Sequence, residues 1–375
     1  MCSRKWRPLA VSVTLMACLS ACSTTRQTPG NAGGVLLKDY RPESSLVVPH
    51  TEITKPRYPA IDVHSHSKPS MTTREKVDQW VAAMDQAGVE SAVVMTDAIG
   101  AEFDAQAKLF LSYGKRFQVY CSFDNANFDQ PDYPARVVRE LERCYRAGAR
   151  GLGELSDKGW GMMGGLDAAL PNQEQRALPR DKRLHLDDPR LDGLWEKCAE
   201  LNLPVNLHVA DHPSTYRPLG PTQERSPQYD QYNKYGKDVP GFDDLIAMRD
   251  RVLARHPHTK FIAAHLANQG HNLGALAAAL DRFPNLYVDL SARDFEVGRQ
   301  PGNAALFLQK YRHRVLFGTD YMQTTAMYRK WWQVLETADE YLPGPAGWPM
   351  YGLQLPDAVL KAVYRENARR LLNWN

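Results

Sequence analysis

The chain has 375 residues, 43% of them hydrophobic, and its 46 Lys and Arg against 43 Asp and Glu leave a formal net charge of +3. That near balance, with no Lys/Arg-dense face carrying interleaved aromatics, argues against nucleic acid as a partner. Of six cysteines, Cys121, Cys144 and Cys198 lie beyond the first 22 residues; their odd number and the lack of a Cys-x-x-Cys pair speak against a disulfide framework or cysteine metal site and leave them as buried thiols.

Arg4, Lys5 and Arg7 precede an apolar stretch from Leu9 to Leu19, and Leu19-Ser20-Ala21-Cys22 follows. This is the layout of a secretory signal over residues 1–21, with an apolar part too short to span a bilayer. The tetrapeptide resembles the bacterial lipobox, which implies cleavage before Cys22, acylation of its thiol and a membrane-tethered place in the cell envelope. The three basic residues of the leader carry the whole excess charge, so the chain from Cys22 onward is formally neutral. Residues 22–58 are rich in Thr, Pro, Gly and charge without a sustained period and read as a tether.

From Pro59, apolar strand-like runs alternate with helical patterns. Strands are expected near 60–66, 90–97, 117–124, 149–156, 203–209, 260–267, 285–292 and 314–321, with helices near 73–88, 102–114, 133–147, 191–202, 242–256, 272–283, 303–313 and 325–342. Eight βα repeats over residues 59–375 predict an α/β fold, a single (β/α)8 TIM barrel. A doubly wound open sheet is the competing fold, but no Gly-rich phosphate turn follows the first strand. Residues 157–190, after strand four, and 210–241, after strand five, are insertions too long for simple turns. Such loops shape a substrate pocket or make an oligomer contact, which leaves a homo-oligomer open.

Six side chains close these runs: His64 and His66 on strand one, Glu154 on strand four, His208 on strand five, His265 on strand six and Asp320 on strand eight. Alternation puts His64 and His66 on one strand face, and parallel strands of one barrel bring all six to one rim. Neutral imidazoles and a carboxylate at one rim are the donors of a divalent-metal site. Asp62, two residues before His64, is expected on the same face, supporting the site by hydrogen bonds.

His-x-His on strand one, single histidines on strands five and six and Asp on strand eight, in that order, resemble the amidohydrolase superfamily. The nearest branch is the amidohydrolase-related one, which also contains decarboxylases of the aminocarboxymuconate-semialdehyde type. The resemblance runs from about residue 59 to the end and includes Glu366-Asn367-Ala368-Arg369-Arg370-Leu371-Leu372. It implies one or two divalent ions, with zinc first, held by His64, His66, His208 and Asp320, and a bound water whose pKa falls towards about 7. It also implies that Asp320 takes the proton of that water and returns it to the leaving group, while His265 polarises the substrate oxygen or holds a second metal. Glu154 resembles the strand-four carboxylate of TatD-like nucleases, without their following Gly-Leu-Asp, and is read as a fifth ligand; a loop cap or ion pair is its alternative. Arg293, closing strand seven, would fork a substrate carboxylate or make an ion pair. The expected activity on a small-molecule substrate is metal-dependent hydrolysis of a carboxylic ester, lactone or amide, with hydroxide on the metal as nucleophile. A nonoxidative decarboxylase of an aromatic or dienoic acid is the alternative, and a non-catalytic surface binding lipoprotein is a third.

Overall fold

Eight parallel strands succeed one another around the sheet: β1 (Ala60–His66), β2 (Val89–Met95), β3 (Phe117–Cys121), β4 (Gly151–Asp157), β5 (Val205–Val209), β6 (Phe261–Ala263), β7 (Leu286–Asp289) and β8 (Val315–Leu316). Each pairs with the next in parallel. The backbone N–H of Val63 donates to the Phe317 carbonyl and that of Asp320 to the His64 carbonyl, both at 2.9 Å, bringing the last strand back to the first. This is the (β/α)8 TIM barrel that the alternating pattern predicts.

The computed structural model describes residues 34–36, 39–40, 44–68, 70–164, 177–220, 223–224, 232–321 and 323–374. Residues 1–21, read as a secretory signal, and Cys22 lie outside these residues. The chain divides into two units, Met1–Val47 and Val48–Asn375. In the first, the Asp39 N–H donates to the Leu36 carbonyl. The second holds the barrel and begins within the segment read as a tether: Thr51 donates to Asp339, the Arg57 N–H donates to Glu336, and Ile53 and Tyr58 pack on the core. Among the described residues, no helix is long and apolar enough to cross a membrane.

Helices α1 (Arg74–Ala87), α2 (Gly100–Leu111), α3 (Tyr133–Arg146), α4 (Asp192–Glu200), α5 (Phe242–Arg255), α6 (Leu273–Arg282), α7 (Pro301–Lys310) and α8 (Thr325–Glu336) alternate with the strands. In α1, Val77, Trp80, Met84 and Ala87 recur at three and four residues and are buried on one face, with Thr73 capping the start and Gly88 in the left-handed region at the end. The layer around the strands holds Trp80, Trp195, Trp331 and Trp332 together with Cys121, Cys144 and Cys198, which are buried free thiols as the sequence suggests. A separate cluster of Ile61, Val63, Val93, Met95, Tyr120, Ile262 and Leu316 packs against Ala368, Leu371, Leu372 and Trp374 from the chain's end. Apolar side chains thus fill the barrel below, and the polar residues collect at the carboxyl ends of the strands.

Several strands stop earlier than their apolar runs. Strand six was expected to reach residue 267, but His265, Leu266, Ala267 and Asn268 all adopt left-handed backbone with φ of 51–59°. Such backbone costs about 1–2 kcal/mol per residue for L-amino acids. It is held by the Asp289 carboxylate, which accepts the His265 N–H at 2.9 Å, and by the Asn268 amide, which donates to the Val209 and Ala210 carbonyls. At Gly153, φ is 145° and a Cβ would stand 2.8 Å from Asn206 Cβ, so a side chain there would push β4 from β5 just before Glu154. The two insertions are tied to each other by the Arg183 guanidinium, which donates to the Gly159 and Asp238 carbonyls.

Candidate metal centre

Pairing along β1 steps from Asp62 opposite Ala92 to Ser65 opposite Val94, so the strand carries one extra residue between them. Because side-chain direction alternates with a period of two, that extra residue reverses the faces on either side of it. His64 and His66 therefore share the site face as expected, and Asp62 does not. The Asp62 carboxylate instead accepts from Thr319 N–H and Oγ1, from Ser65 Oγ and from the Tyr328 hydroxyl of α8. Burial pushes its pKa up to about 6 against these donors. Its service to the site is indirect: it accepts the His64 backbone N–H and fixes the turn before Asp320.

Four imidazoles then meet two carboxylates. His64 Nδ1 lies 2.9 Å from Asp289 Oδ2, His66 Nδ1 lies 3.0 Å from Asp97 Oδ2, and His208 Nδ1 lies 2.9 Å from Glu154 Oε1. His265 Nδ1 is 2.9 Å from the Ser291 carbonyl. With each Nδ1–H donated in this way, the unprotonated form of each imidazole carries its lone pair on Nε2. His64, His66 and His208 have a buried Nε2 with no hydrogen-bond partner among the described residues. Those of His64 and His66 point at carboxylates: His64 Nε2 is 3.7 Å from both Glu154 Oε1 and Asp320 Oδ1, and His66 Nε2 is 3.6 Å from Glu154 Oε2 and 3.5 Å from Asp320 Oδ1.

Two ligand triads result, His64–Glu154–His265 and His64–His66–Asp320, each with its donor atoms within 4.8 Å of one another. Orphaned, buried nitrogens facing carboxylate oxygens, each imidazole oriented from behind by an acceptor, fit a divalent cation. His208 belongs to neither triad. It reaches the cluster through Glu154 and through its own Nδ1, 3.0 Å from His265 Nε2. Its Nε2 is buried and lies 3.7 Å from Asp211 Oδ1. Arg293 is buried beside the cluster, with its guanidinium donating to the Ala292 carbonyl and Asn268 Oδ1 and its Nε 3.4 Å from Glu296.

The electrostatics follow from this crowding. Burial works against charge on His64, but Asp289, Asp320 and Glu154 around it raise its pKa to about 9. His66 is likewise raised well above the usual imidazole range by Asp97, Glu154 and Asp320 despite burial. Burial first, and then the neighbouring His208, lower His265 to about 4, so it stays neutral. Burial would raise Glu154, but His208, His265 and His66 hold it well below the usual carboxylate range, and His64 keeps Asp289 at about 2. Metal can bind only unprotonated imidazole. Below the raised pKa values of His64 and His66, protons compete with the ion, so affinity should weaken as pH falls from about 9. Calorimetry at neutral pH in buffers of different ionisation enthalpy should show proton release on zinc uptake, and uptake without proton release would contradict this protonation pattern.

Asp289, Asp97 and Ser291 were missed in the sequence although they orient His64, His66 and His265. Asp289 ends β7 and Asp97 lies two residues past β2, the same signal that picks out Glu154 and Asp320. Asp97 and Asp320 also share positive φ, 52° each, a backbone that Asp tolerates better than most residues.

A sequence model of the amidohydrolase family matches residues 61–374, which contain every donor of both triads. The chain belongs to the amidohydrolase family. It is therefore an enzyme, which removes the non-catalytic reading. Similar solved structures include 2,6-dihydroxybenzoate decarboxylase from Rhizobium, at 17% identity and TM-score 0.50, covering 84% of this chain and 99% of that one. A dihydroxybenzoic acid decarboxylase from Polaromonas sp. JS666, with bound manganese and 2-nitroresorcinol, matches at 17% and 0.51, covering 84% and 97%. A putative amidohydrolase from Staphylococcus aureus matches at 15% and 0.51, covering 84% and 99%. These likenesses bear on the barrel fold. No curated protein matches this amidohydrolase by sequence.

Proposed function

We propose that this amidohydrolase is a metal-dependent hydrolase acting on a carboxylic ester, lactone or amide. The observation that carries the reading is the pair of triads sharing His64, one closed by buried Glu154 and the other by Asp320, whose side chain is 23% exposed. Two adjoining donor sets with a carboxylate in each suit activation of water beside an electrophilic carbon. A divalent cation held there supplies Lewis acidity, and zinc suits imidazole and carboxylate donors.

Asp320 sits at the open side, where it takes the proton from the attacking water and returns it to the leaving oxygen or nitrogen. His265 has its Nδ1–H committed to Ser291 and is neutral, so its Nε2 accepts and does not donate. This favours a ligand role over polarisation of the substrate oxygen. Asp289 and Asp97 keep the lone pairs of His64 and His66 aimed into the cluster.

Decarboxylation is the second reading, favoured by the decarboxylases of like fold and by Arg293 beside the cluster, where it would hold an acid. Glu154 separates the two. In the hydrolase, the metal-replete protein should take up close to two equivalents of zinc, and Glu154→Gln should lose one of them with most of the turnover of an ester, lactone and amide panel. One equivalent, indifference to Glu154→Gln and carbon dioxide release from an aromatic acid would overturn hydrolysis.

A further inference from the structure

Lys158 follows β4 and Lys234 lies in the insertion after β5, yet both ammonium groups reach one carboxylate, that of Asp211. Lys234 Nζ is 2.5 Å from Asp211 Oδ2 and Lys158 Nζ is 3.7 Å from Asp211 Oδ1. The Lys234 side chain is only 6% exposed and that of Lys158 19%. Two largely buried ammonium groups on one carboxylate leave a positive charge without a counter-charge within the trio, an arrangement that is costly unless an anion completes it.

The trio borders the metal cluster. Asp211 Oδ1 is 3.7 Å from His208 Nε2, a buried nitrogen that has no hydrogen-bond partner among the described residues. Tyr216 forms a wall, its ring 5.4 Å from Lys234 Nζ and its hydroxyl accepting the Asp211 N–H and donating to the Lys158 carbonyl. We propose that Lys158 and Lys234, gathered by Asp211, form a subsite for a carboxylate of the substrate beside the metal cluster, so that the substrate class is an organic acid. Lysine suits this task as a compact point charge. A carboxylate there places the rest of the molecule over His208 and towards Glu154. The inference rests on reading the adjoining cluster as the reaction site.

The full chain, both freed of metal and loaded with zinc, is titrated calorimetrically with benzoate against benzamide and with glutarate against glutaramide. At least one acid should bind about tenfold or more tightly than its amide. Lys234→Met and Lys158→Met should each erase most of that preference with zinc content unchanged, and Lys234→Arg, which keeps the charge, should retain it. A trio that merely clamps the two insertions would lower the melting temperature of the Met variants and leave the preference intact. That result, or a wild type with no preference for either acid, overturns the proposal. Acid preference that depends on Lys234 in a protein that takes up no zinc would sink the hydrolase reading and leave the subsite standing, whereas zinc-dependent hydrolysis without acid preference would do the reverse.

Discussion

Replacing His66 by alanine is expected to abolish turnover and to lower bound metal sharply. The imidazole is held from behind by Asp97 at 3.0 Å, and its Nε2 has neither a hydrogen-bond partner among the described residues nor access to solvent. A buried nitrogen in that state is costly unless something binds it. Removal takes one donor from the His64–His66–Asp320 triad. It also leaves the Asp97 carboxylate without its imidazole, at about 1–3 kcal/mol in stability, so a thermal melt belongs beside the assay. Asp97→Asn keeps the imidazole but weakens its orientation and should cost roughly 10–100-fold in metal affinity. A folded His66→Ala protein that kept wild-type activity after chelation and dialysis would remove this residue from the site.

Asp320→Asn should separate chemistry from binding. The residue sits at φ 52°, a conformation that asparagine tolerates, so the backbone after β8 is preserved and an oxygen ligand remains. What disappears is the base, and the expected rate loss is roughly a hundredfold or more with much of the metal retained. The substitution has a second signature independent of turnover. Asp320 is one of the carboxylates that raise His64, so without metal the His64 imidazolium should give up its proton at lower pH, visible by NMR. Near-normal kcat with normal metal content would exclude Asp320 as the base. An unmoved His64 titration would exclude its electrostatic hold on the imidazole.

The order of apolar runs and helical patterns was enough to read eight repeats, because each barrel strand is buried on both faces and each covering helix on one. The residues closing those runs named side chains that meet at the rim, since strand ends in this fold converge there. Boundaries were less legible: the apolar run through His265 continues past β6, but the His265 N–H donating to Asp289 and the Asn268 amide donating to Val209 hold it in left-handed backbone.

Composition, period and chain order therefore determined the barrel, the His-x-His pair and the metal-binding character of the rim. Tertiary structure decided the partnerships. One extra residue in β1 turned Asp62 away from the face of His64, and Asp289 and Asp97, distant in sequence, became the supports of the histidines. It also set His265 in a triad with Glu154, left His208 bridging to Asp211, and drew Lys158 and Lys234 from two insertions onto one carboxylate. The physical reason is that periodicity records which face of an element is buried, whereas pairing across the rim depends on register and loop path, which are set only when the strands close on one another.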